Sequence, residues 1–409
     1  MKSEIPVYAA LDIGHSEVTA IIAEMIDGEN VKVVGVGRAP SYGLKNGVIV
    51  DLERTTEAIR RAVSEAEGMA GGEMPPLHVN IGGGHIRSVN SRGVVAVSRR
   101  GGPIEPEDVE RVLQAARAIP VPPDREVLHV LPQEFIVDDQ GGIKDPVGMM
   151  GARLEVAVHI VTGSALSVGN IHTCVQQAGY TIESLTLTSL AAAEATITER
   201  EREMGIAIVD VGSGITGVAV YADNAVRHTG TVPVGGRHVT NDLAIGLRTP
   251  VDAAEVIKTE ACVDGMCVNV DWEAVVSVPG VGDQPERAVT RRVIGAIIAP
   301  RLEEIFQLAS REIQKAPTTE LLASGIVLTG GGACIPGACE LAERVFNLPV
   351  RLGRPQNLLG LSDMMSSPAD VGVIGLVRHA ARTWRPSVAT RSGVRRLTGK
   401  LSNVLSQLI

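Results

Sequence analysis

"GIAIVDVGSGITGVAVYADNAVRHTGTVPVGG" occupies residues 205–236. Its first part, "GIAIVDVGSG" (205–214), is a short apolar run closed by glycines, the pattern of a buried strand entering a tight turn. The remainder reads as two further strands. The same plan opens the chain: "VYAALDIG" (7–14) is a buried strand with a turn, and "VTAIIAEMI" (18–26) and "VKVVGVGRA" (31–39) follow as strands. In both places an aspartate stands two residues before a glycine, Asp12 before Gly14 and Asp210 before Gly212. The chain therefore opens two lobes with one plan: strand, Asp-x-Gly turn, strand, strand. The repeat is structural, and sequence identity between its copies is weak.

Outward from these strands, "DLERTTEAIRRAVSEAEGMAG" (51–71) has helical spacing with acids and threonine near its start. Residues 84–159 read as an inserted α+β subdomain, dense in proline and charge, with one helix at about 106–118. "GIVLTGGGACIPG" (325–337) is an apolar strand running into three glycines, and "RPSVATRSG" (385–393) reads as a short polar linker.

Composition narrows the classes. The 409 residues carry a net charge of -9, which argues against a nucleic-acid partner, since that affinity comes mainly from Lys and Arg on phosphates. Hydrophobic residues make up 44% and aromatics 2%, so the core is aliphatic and rich in small residues. The five cysteines, Cys174, Cys262, Cys267, Cys334 and Cys339, form no CxxC pair and read as buried small residues in a reduced compartment. "MKSEIPVYAALDIG" lacks the pattern of a signal peptide, and no stretch reaches the roughly 20 apolar residues of a membrane span. A cytoplasmic body is expected.

Three separated elements could carry chemistry together. They are Asp12-x-Gly14, then Asp210-x-Gly212-x-Gly214-x-Thr216, then the late triple glycine Gly330, Gly331, Gly332. Glycine lets backbone N–H groups approach phosphates closely. A carboxylate at each strand end can hold Mg²⁺ through its waters. Each element alone is a common turn; the three in this order describe a clamp on a Mg-phosphate.

The order and spacing resemble the actin, Hsp70 and sugar-kinase superfamily of two-lobed ATP-binding proteins. Within it the chain resembles the bacterial cell-division actin family FtsA. The residues carrying that match include "LDIG" (11–14), "NSRGVVAV" (90–97), "LHVLPQEFIVD" (128–138), "DPVGMMGARLEVAVHIVTG" (145–163), "DVGSGITGVAVY" (210–221), "VPVGGRHVTNDLA" (232–244), "AEVIK" (254–258) and "LTGGGACIPG" (328–337). The 84–159 insertion discriminates best, because sugar kinases and Hsp70 chaperones should not show it. The implied fold is α/β, actin-like and two-lobed, with duplicated RNase H-like lobes and an inserted α+β subdomain. The implied division gives a first-lobe core at 1–83, 160–205 and 357–385, the insertion at 84–159, a second-lobe core at 206–235 and 303–356, a small subdomain at 236–302, a linker at 386–393 and a terminal helix at 394–409.

The resemblance also implies roles. Asp12 and Asp210 would sit around Mg²⁺, and Gly14, Gly212, Gly214 and Thr216 would line the phosphates of ATP. Gly235 and Gly236 would turn near the nucleotide, Glu255 and Lys258 would border the adenosine, and Gly330, Gly331 and Gly332 would close the opposite side. Read from the residues alone, Glu255 and Lys258 are a solvated pair three apart on a helix. Two departures weaken the shell. The family commonly has lysine where this chain has Glu17, and a carboxylate of the second turn is absent at Gly217. Nucleotide binding with slow or negligible hydrolysis is expected. No catalytic base is assigned, and Glu194 reads as a helix-surface residue.

An acidic chain with a cationic end is the last feature. From Val371 onward there is no Asp or Glu. Val394, Leu397, Leu401, Val404, Leu405 and Leu408 form an apolar stripe, with Arg395, Arg396 and Lys400 among them. Sixteen helical residues are about 24 Å long. Such a helix suits the headgroup region of an anionic membrane; a docked helix or a short coiled-coil seam are the other readings. FtsA members end in a membrane-targeting helix, so the resemblance favours a peripheral place on the inner face of the cell membrane. It further implies self-assembly into filaments, contact of 84–159 with later division proteins, and docking of the FtsZ C-terminal peptide at 236–302. There the helix "PERAVTRRVIGAIIAPRLEEI" would offer Arg287, Arg291, Arg292 and Arg301. The other actin-like readings are a pilus-assembly scaffold and a small-molecule kinase.

Overall fold

The computed structural model describes residues 5–26, 29–99, 101–267, 270–282, 284–317 and 322–383. The linker at 386–393 and the terminal helix at 394–409, with all its proposed membrane contacts, lie outside the described residues.

Strands β1 (Val7–Ile13), β2 (Glu17–Met25) and β3 (Val31–Pro40) form an antiparallel meander. A small hairpin, β4 (Leu44–Lys45) and β5 (Val48–Ile49), leads to α1 (Leu52–Ala70). Asp51 caps α1 by accepting the Arg54 N–H at 3.0 Å. The helix buries Ile59, Ala62, Val63 and Ala66, and packs on β2 and β3. Close approach there requires Gly37, since a Cβ would lie 1.8 Å from the Ala62 carbonyl oxygen. β6 (Leu77–Ile81) then joins β1 in parallel.

The insertion follows: β7 (Arg87–Ala96), α2 (Pro106–Arg117), β8 (Arg125–Val137), β9 (Gln140–Ile143) and β10 (Arg153–Ser164). Its sheet runs in the order β7-β10-β8-β9, with α2 packed on it over a separate core of Val112, Leu154, Val156, Val158 and Ile160. Buried Asp108 fixes the start of α2. It accepts from Ser98 N at 3.1 Å, Ser98 Oγ at 2.6 Å and Glu105 N at 3.0 Å, and these bonds with Arg111 outweigh burial to hold its carboxyl well below the usual range.

The chain returns through α3 (Ala165–Ala178), β11 (Ile182–Leu187), α4 (Thr188–Thr196) and α5 (Glu199–Met204). The second lobe comprises β12 (Ile206–Val211), β13 (Thr216–Ala222), β14 (Ala225–Val232), α6 (Gly236–Leu247), α7 (Val251–Glu260), β15 (Val275–Val278), β16 (Arg287–Thr290), α8 (Arg291–Ile313), β17 (Ile326–Thr329), α9 (Ala338–Phe346) and β18 (Val350–Leu352). Last, β19 (Leu358–Gly360) extends the first sheet beside β3, and α10 (Val371–Thr383) packs on α4. Gly375 permits that helix contact, because a Cβ would lie 1.7 Å from the Ala191 oxygen.

The two sheets share one topology. The first contains β3-β2-β1-β6-β11 and the second β14-β13-β12-β17-β18, each an antiparallel meander continued by two parallel strands. This is the duplication read from the two Asp-x-Gly turns. The fold is α/β, actin-like and two-lobed, and the insertion bridges its lobes. Gln133 Nε2 donates to Val226 O at 2.7 Å and Ser88 Oγ to Thr229 O at 2.7 Å, tying β8 and β7 to β14.

Three expectations are corrected. Glu194 is not on a helix surface; its side chain is 9% exposed and paired with Arg202 and Arg382. The segment around Arg287 is not one helix, since Arg287–Thr290 pairs with Val275–Val278 as a strand and α8 starts at Arg291. The cysteines are not uniformly buried small residues. Cys334 is exposed, and Cys262 and Cys267 form a disulfide across the turn that follows α7.

Candidate functional site

The two Asp-x-Gly turns face each other across a cleft of about 210 Å³, lined by residues of both lobes. Asp12 and Asp210 are each the next-to-last residue of their strands, β1 and β12, so the duplicated topology presents one carboxylate from each side. In the first turn Gly14 N donates to Glu17 O at 3.0 Å; in the second Gly212 N donates to Ile215 O at 3.0 Å. The loops are cross-braced by His15. Its ring rests against Gly214, where a Cβ would lie 2.2 Å from it, and its Nε2 accepts the Gly47 N–H at 2.6 Å.

Asp12 accepts from Asn80 Nδ2 at 2.5 Å, and Asn80 Oδ1 takes the Ile13 N–H at 2.7 Å, which fixes the carboxylate against the sheet. Burial pushes the Asp12 carboxyl up to about 7, with repulsion from Asp210, Asp370 and Glu17 in the same direction and Arg38 opposing. Burial alone pushes Asp210 up to about 6. Two desolvated carboxylates facing one cleft are what a bound cation relieves. Among the described residues no group of three or more His, Cys, Asp or Glu is placed to hold a metal by itself. A pair of carboxylates is a set that Mg²⁺ could use, since that ion keeps its waters and takes phosphate oxygens beside one or two carboxylates.

The structure divides the residues expected at the site. Asp12, Gly14, Asp210, Gly212, Gly330 and Gly331 line the cleft. Gly214, Gly235, Gly236 and Gly332 are buried beside it rather than in its lining. Gly236 N donates to Gly212 O at 2.9 Å, which docks the Gly235–Gly236 turn onto the second Asp-x-Gly turn. Gly332 packs on Val211, where a Cβ would meet Cγ1 at 2.4 Å. The expectation for Thr216 is corrected: it is fully buried, and its hydroxyl donates to Val234 O at 2.8 Å. The solvated-pair reading of Lys258 is corrected too. Lys258 is 7% exposed; its Nζ donates to both Glu255 oxygens at 2.7 Å and to Thr240 Oγ1 at 3.0 Å, beside Gly236.

Asn80, His15, Arg38 and Asp370 were missed by sequence reasoning. His15 directly follows Gly14, whereas Asn80 on β6, Arg38 on β3 and Asp370 just ahead of α10 are joined to the site only by the fold.

Two lobes of one topology, closing around a cleft with a carboxylate from each, define an actin-like protein. Residues 207–375 match the family "Cell division protein FtsA", and residues 83–162 match "SHS2 domain inserted in FTSA". The chain is 42% identical over 370 residues to the cell division protein FtsA of Pseudomonas aeruginosa, covering 90% of this chain and 88% of the other. It belongs to the FtsA family of cell division proteins. Among solved structures it resembles a chain of the PilM-PilN type IV pilus biogenesis complex (TM-score 0.64, 16% identity, covering 91% of this chain and 96% of that one). It also resembles MreB5 of Spiroplasma citri bound to ADP (TM-score 0.56, 14% identity, covering 92% and 97%).

Proposed function

We propose that this protein binds Mg-ATP in the interlobe cleft, assembles with copies of itself, and tethers FtsZ filaments to the inner face of the cytoplasmic membrane. The observation that carries the nucleotide reading is the pair of desolvated carboxylates, Asp12 and Asp210, facing one cleft in a chain of the FtsA family. Bound Mg²⁺ supplies neutralisation of phosphate charge. Asp12 and Asp210 would hold its water shell, and the backbone of Gly14, Gly212, Gly330 and Gly331 would border the phosphates. Hydrolysis is slow or absent, because Glu17 and Gly217 replace groups that would stabilise developing charge.

Membrane attachment is assigned to residues 394–409, whose stripe of Leu and Val alternates with Arg and Lys. Among the described residues no helix is long and apolar enough to cross a membrane. One such tail binds weakly, and assembly of the body would array many tails. The reading is tested by co-sedimentation with anionic liposomes, comparing the full chain with one ending at Thr390, with and without ATP. The full chain pellets, more so with ATP, and the shortened one does not. Equal pelleting of both chains removes the tail from the proposal.

The insertion, bridging both lobes, is proposed as the contact for later division proteins. For the FtsZ peptide, the candidate cations are Arg291 and Arg292, both exposed at the start of α8, where Arg292 makes an exposed pair with Glu273 at 2.8 Å. Arg301 is held by Asp242 at 2.6 Å, and Arg287 donates to the Leu247 carbonyl. Reversing Arg291 and Arg292 to Glu together is expected to weaken binding of an acidic FtsZ C-terminal peptide at least about tenfold. Unchanged affinity in a fluorescence titration would exclude this surface.

A further inference from the structure

Glu17 brings a carboxylate to the cleft lining, yet the cleft is not without a cation. Arg38, on β3, lies across the sheet from Asp12: Asp12 pairs with Thr19, and Thr19 with Arg38. Its guanidinium reaches the cleft lining. Nη1 donates to Glu17 Oε1 at 2.6 Å, and Nη2 donates to Asp370 Oδ1 at 2.5 Å and to Met364 O at 3.1 Å.

The two carboxylate partners are unlike. Asp370 has a side chain 3% exposed, and its second oxygen accepts the Ser367 N–H at 3.0 Å, so it is fixed in a short helical cap ahead of α10. Glu17 is 41% exposed and follows the first Asp-x-Gly turn. One partner is an anchor, and the other can rotate away. Arg38 is also the cation that acts on the Asp12 charge, opposite to three carboxylates.

The geometry points to Arg38 as the phosphate-facing cation of the cleft, anchored by Asp370 and covered by Glu17 until a polyphosphate takes the place of Glu17. This rests on the nucleotide reading above and adds the group that reads the phosphate charge. A guanidinium presents donors in a fixed planar fork that suits phosphate oxygens. Asp370 pre-orients it, so little side-chain freedom is lost on binding. A polyphosphate carries more negative charge than the single Glu17 carboxylate and gains more from the same cation. Glu17 therefore acts as a tethered competitor: it lowers affinity for every anion and favours the most highly charged one.

The experiment is calorimetric titration of the full chain, in Mg²⁺, with ATP, with inorganic tripolyphosphate and with adenosine. Glu17→Gln keeps the Arg38–Asp370 pair and removes the competing charge. It is expected to tighten ATP and tripolyphosphate about fivefold or more and to leave adenosine unchanged. Arg38→Gln is expected to weaken both polyphosphates about tenfold or more, again without moving adenosine. If Arg38→Gln does not fold, because Asp370 has lost its partner, Glu17→Gln decides alone. Unchanged polyphosphate affinity in Glu17→Gln, with ATP still bound, overturns the role of Arg38 and leaves the nucleotide reading standing. Adenosine weakened as much as ATP in Arg38→Gln overturns it also, since a purely structural residue would act that way. A parent protein that binds neither ATP nor tripolyphosphate removes the nucleotide reading and this inference with it.

Discussion

Glu194→Ala is expected to destabilise the protein by about 3–5 kcal/mol, the cost of leaving a buried cation without its partner. Glu194 lies on α4, and its side chain is 9% exposed. Oε2 contacts Arg202 Nη2 at 3.1 Å, and Oε1 contacts Arg382 Nη2 at 2.6 Å. Burial disfavours the Glu194 carboxylate, but these two guanidiniums outweigh it, and the carboxyl sits below its ordinary range. The two cations differ in what they lose. Arg382 is 49% exposed and regains water. Arg202 is 12% exposed and stacked 4.9 Å over the Tyr221 ring, so it cannot. Thermal or urea unfolding of Glu194→Ala measures the loss. The double variant Glu194→Leu with Arg202→Met should regain most of it, because no buried charge is then left unpaired and Arg382 turns to water. A single variant within about 1 kcal/mol of the parent would show that water reaches Arg202. These residues border a second cavity of about 520 Å³, where the insertion meets both lobes, so the same variants report on that junction.

The duplicated plan was legible because each copy is local: an apolar strand, an Asp-x-Gly turn and two more strands within about thirty residues. The helices at 51–71 and 106–118 were legible for the same reason, and they appear as Leu52–Ala70 and Pro106–Arg117. What failed depends on partners distant in sequence. Glu194 is the single charged residue of the alanine-rich α4, "TSLAAAEAT", and its cations lie 8 and 188 residues away. Thr216 has the residue type of a phosphate ligand, but its place in β13 turns the hydroxyl to Val234. Lys258 shares a face with Glu255, as spacing implied, yet α6 covers that face and buries the ammonium group. The strong apolar periodicity of α8 extends a helical pattern back through Arg287. The four residues before Arg291 instead satisfy their backbone by pairing with β15. Arg38 could not be seen as a site residue at all. Nothing in "VKVVGVGRA" marks one strand residue as facing a cleft until the register sets it across from Asp12.

Acidification from pH 7.5 to pH 5.0 is expected to lower the unfolding midpoint by at least about 5 °C. Burial pushes six of the nine histidines toward the neutral form: His85 downward, His15, His78 and His379 to about 4, and His129 and His159 to about 3. Two have a direct structural reason. His129 Nε2 accepts the Leu187 N–H at 3.0 Å, and His15 Nε2 accepts the Gly47 N–H at 2.6 Å, so a proton on either nitrogen breaks a backbone bond. Their surroundings add to it: His129 faces His379 and His159, and His15 faces Arg237 and His238, while at His379 the Glu194 carboxylate pulls the other way. The folded values lie below the unfolded value of 6.5, so the unfolded chain takes up protons that the folded chain refuses. This stability is complete above about pH 6.5 and is lost as pH falls toward 4. At pH 5 each of the five held at about 3 or 4 costs on the order of 2 kcal/mol. Asp12 and Asp210 act oppositely. Their folded values of about 7 and about 6 exceed the unfolded 3.8, so they add stability as pH falls through those values. Over the same interval the two together return on the order of 4 kcal/mol, less than those histidines remove. His129→Gln, which keeps an acceptor for Leu187, should shrink the drop between the two pH values. A midpoint equal or higher at pH 5.0 would mean that the buried histidines open to water before the protein unfolds.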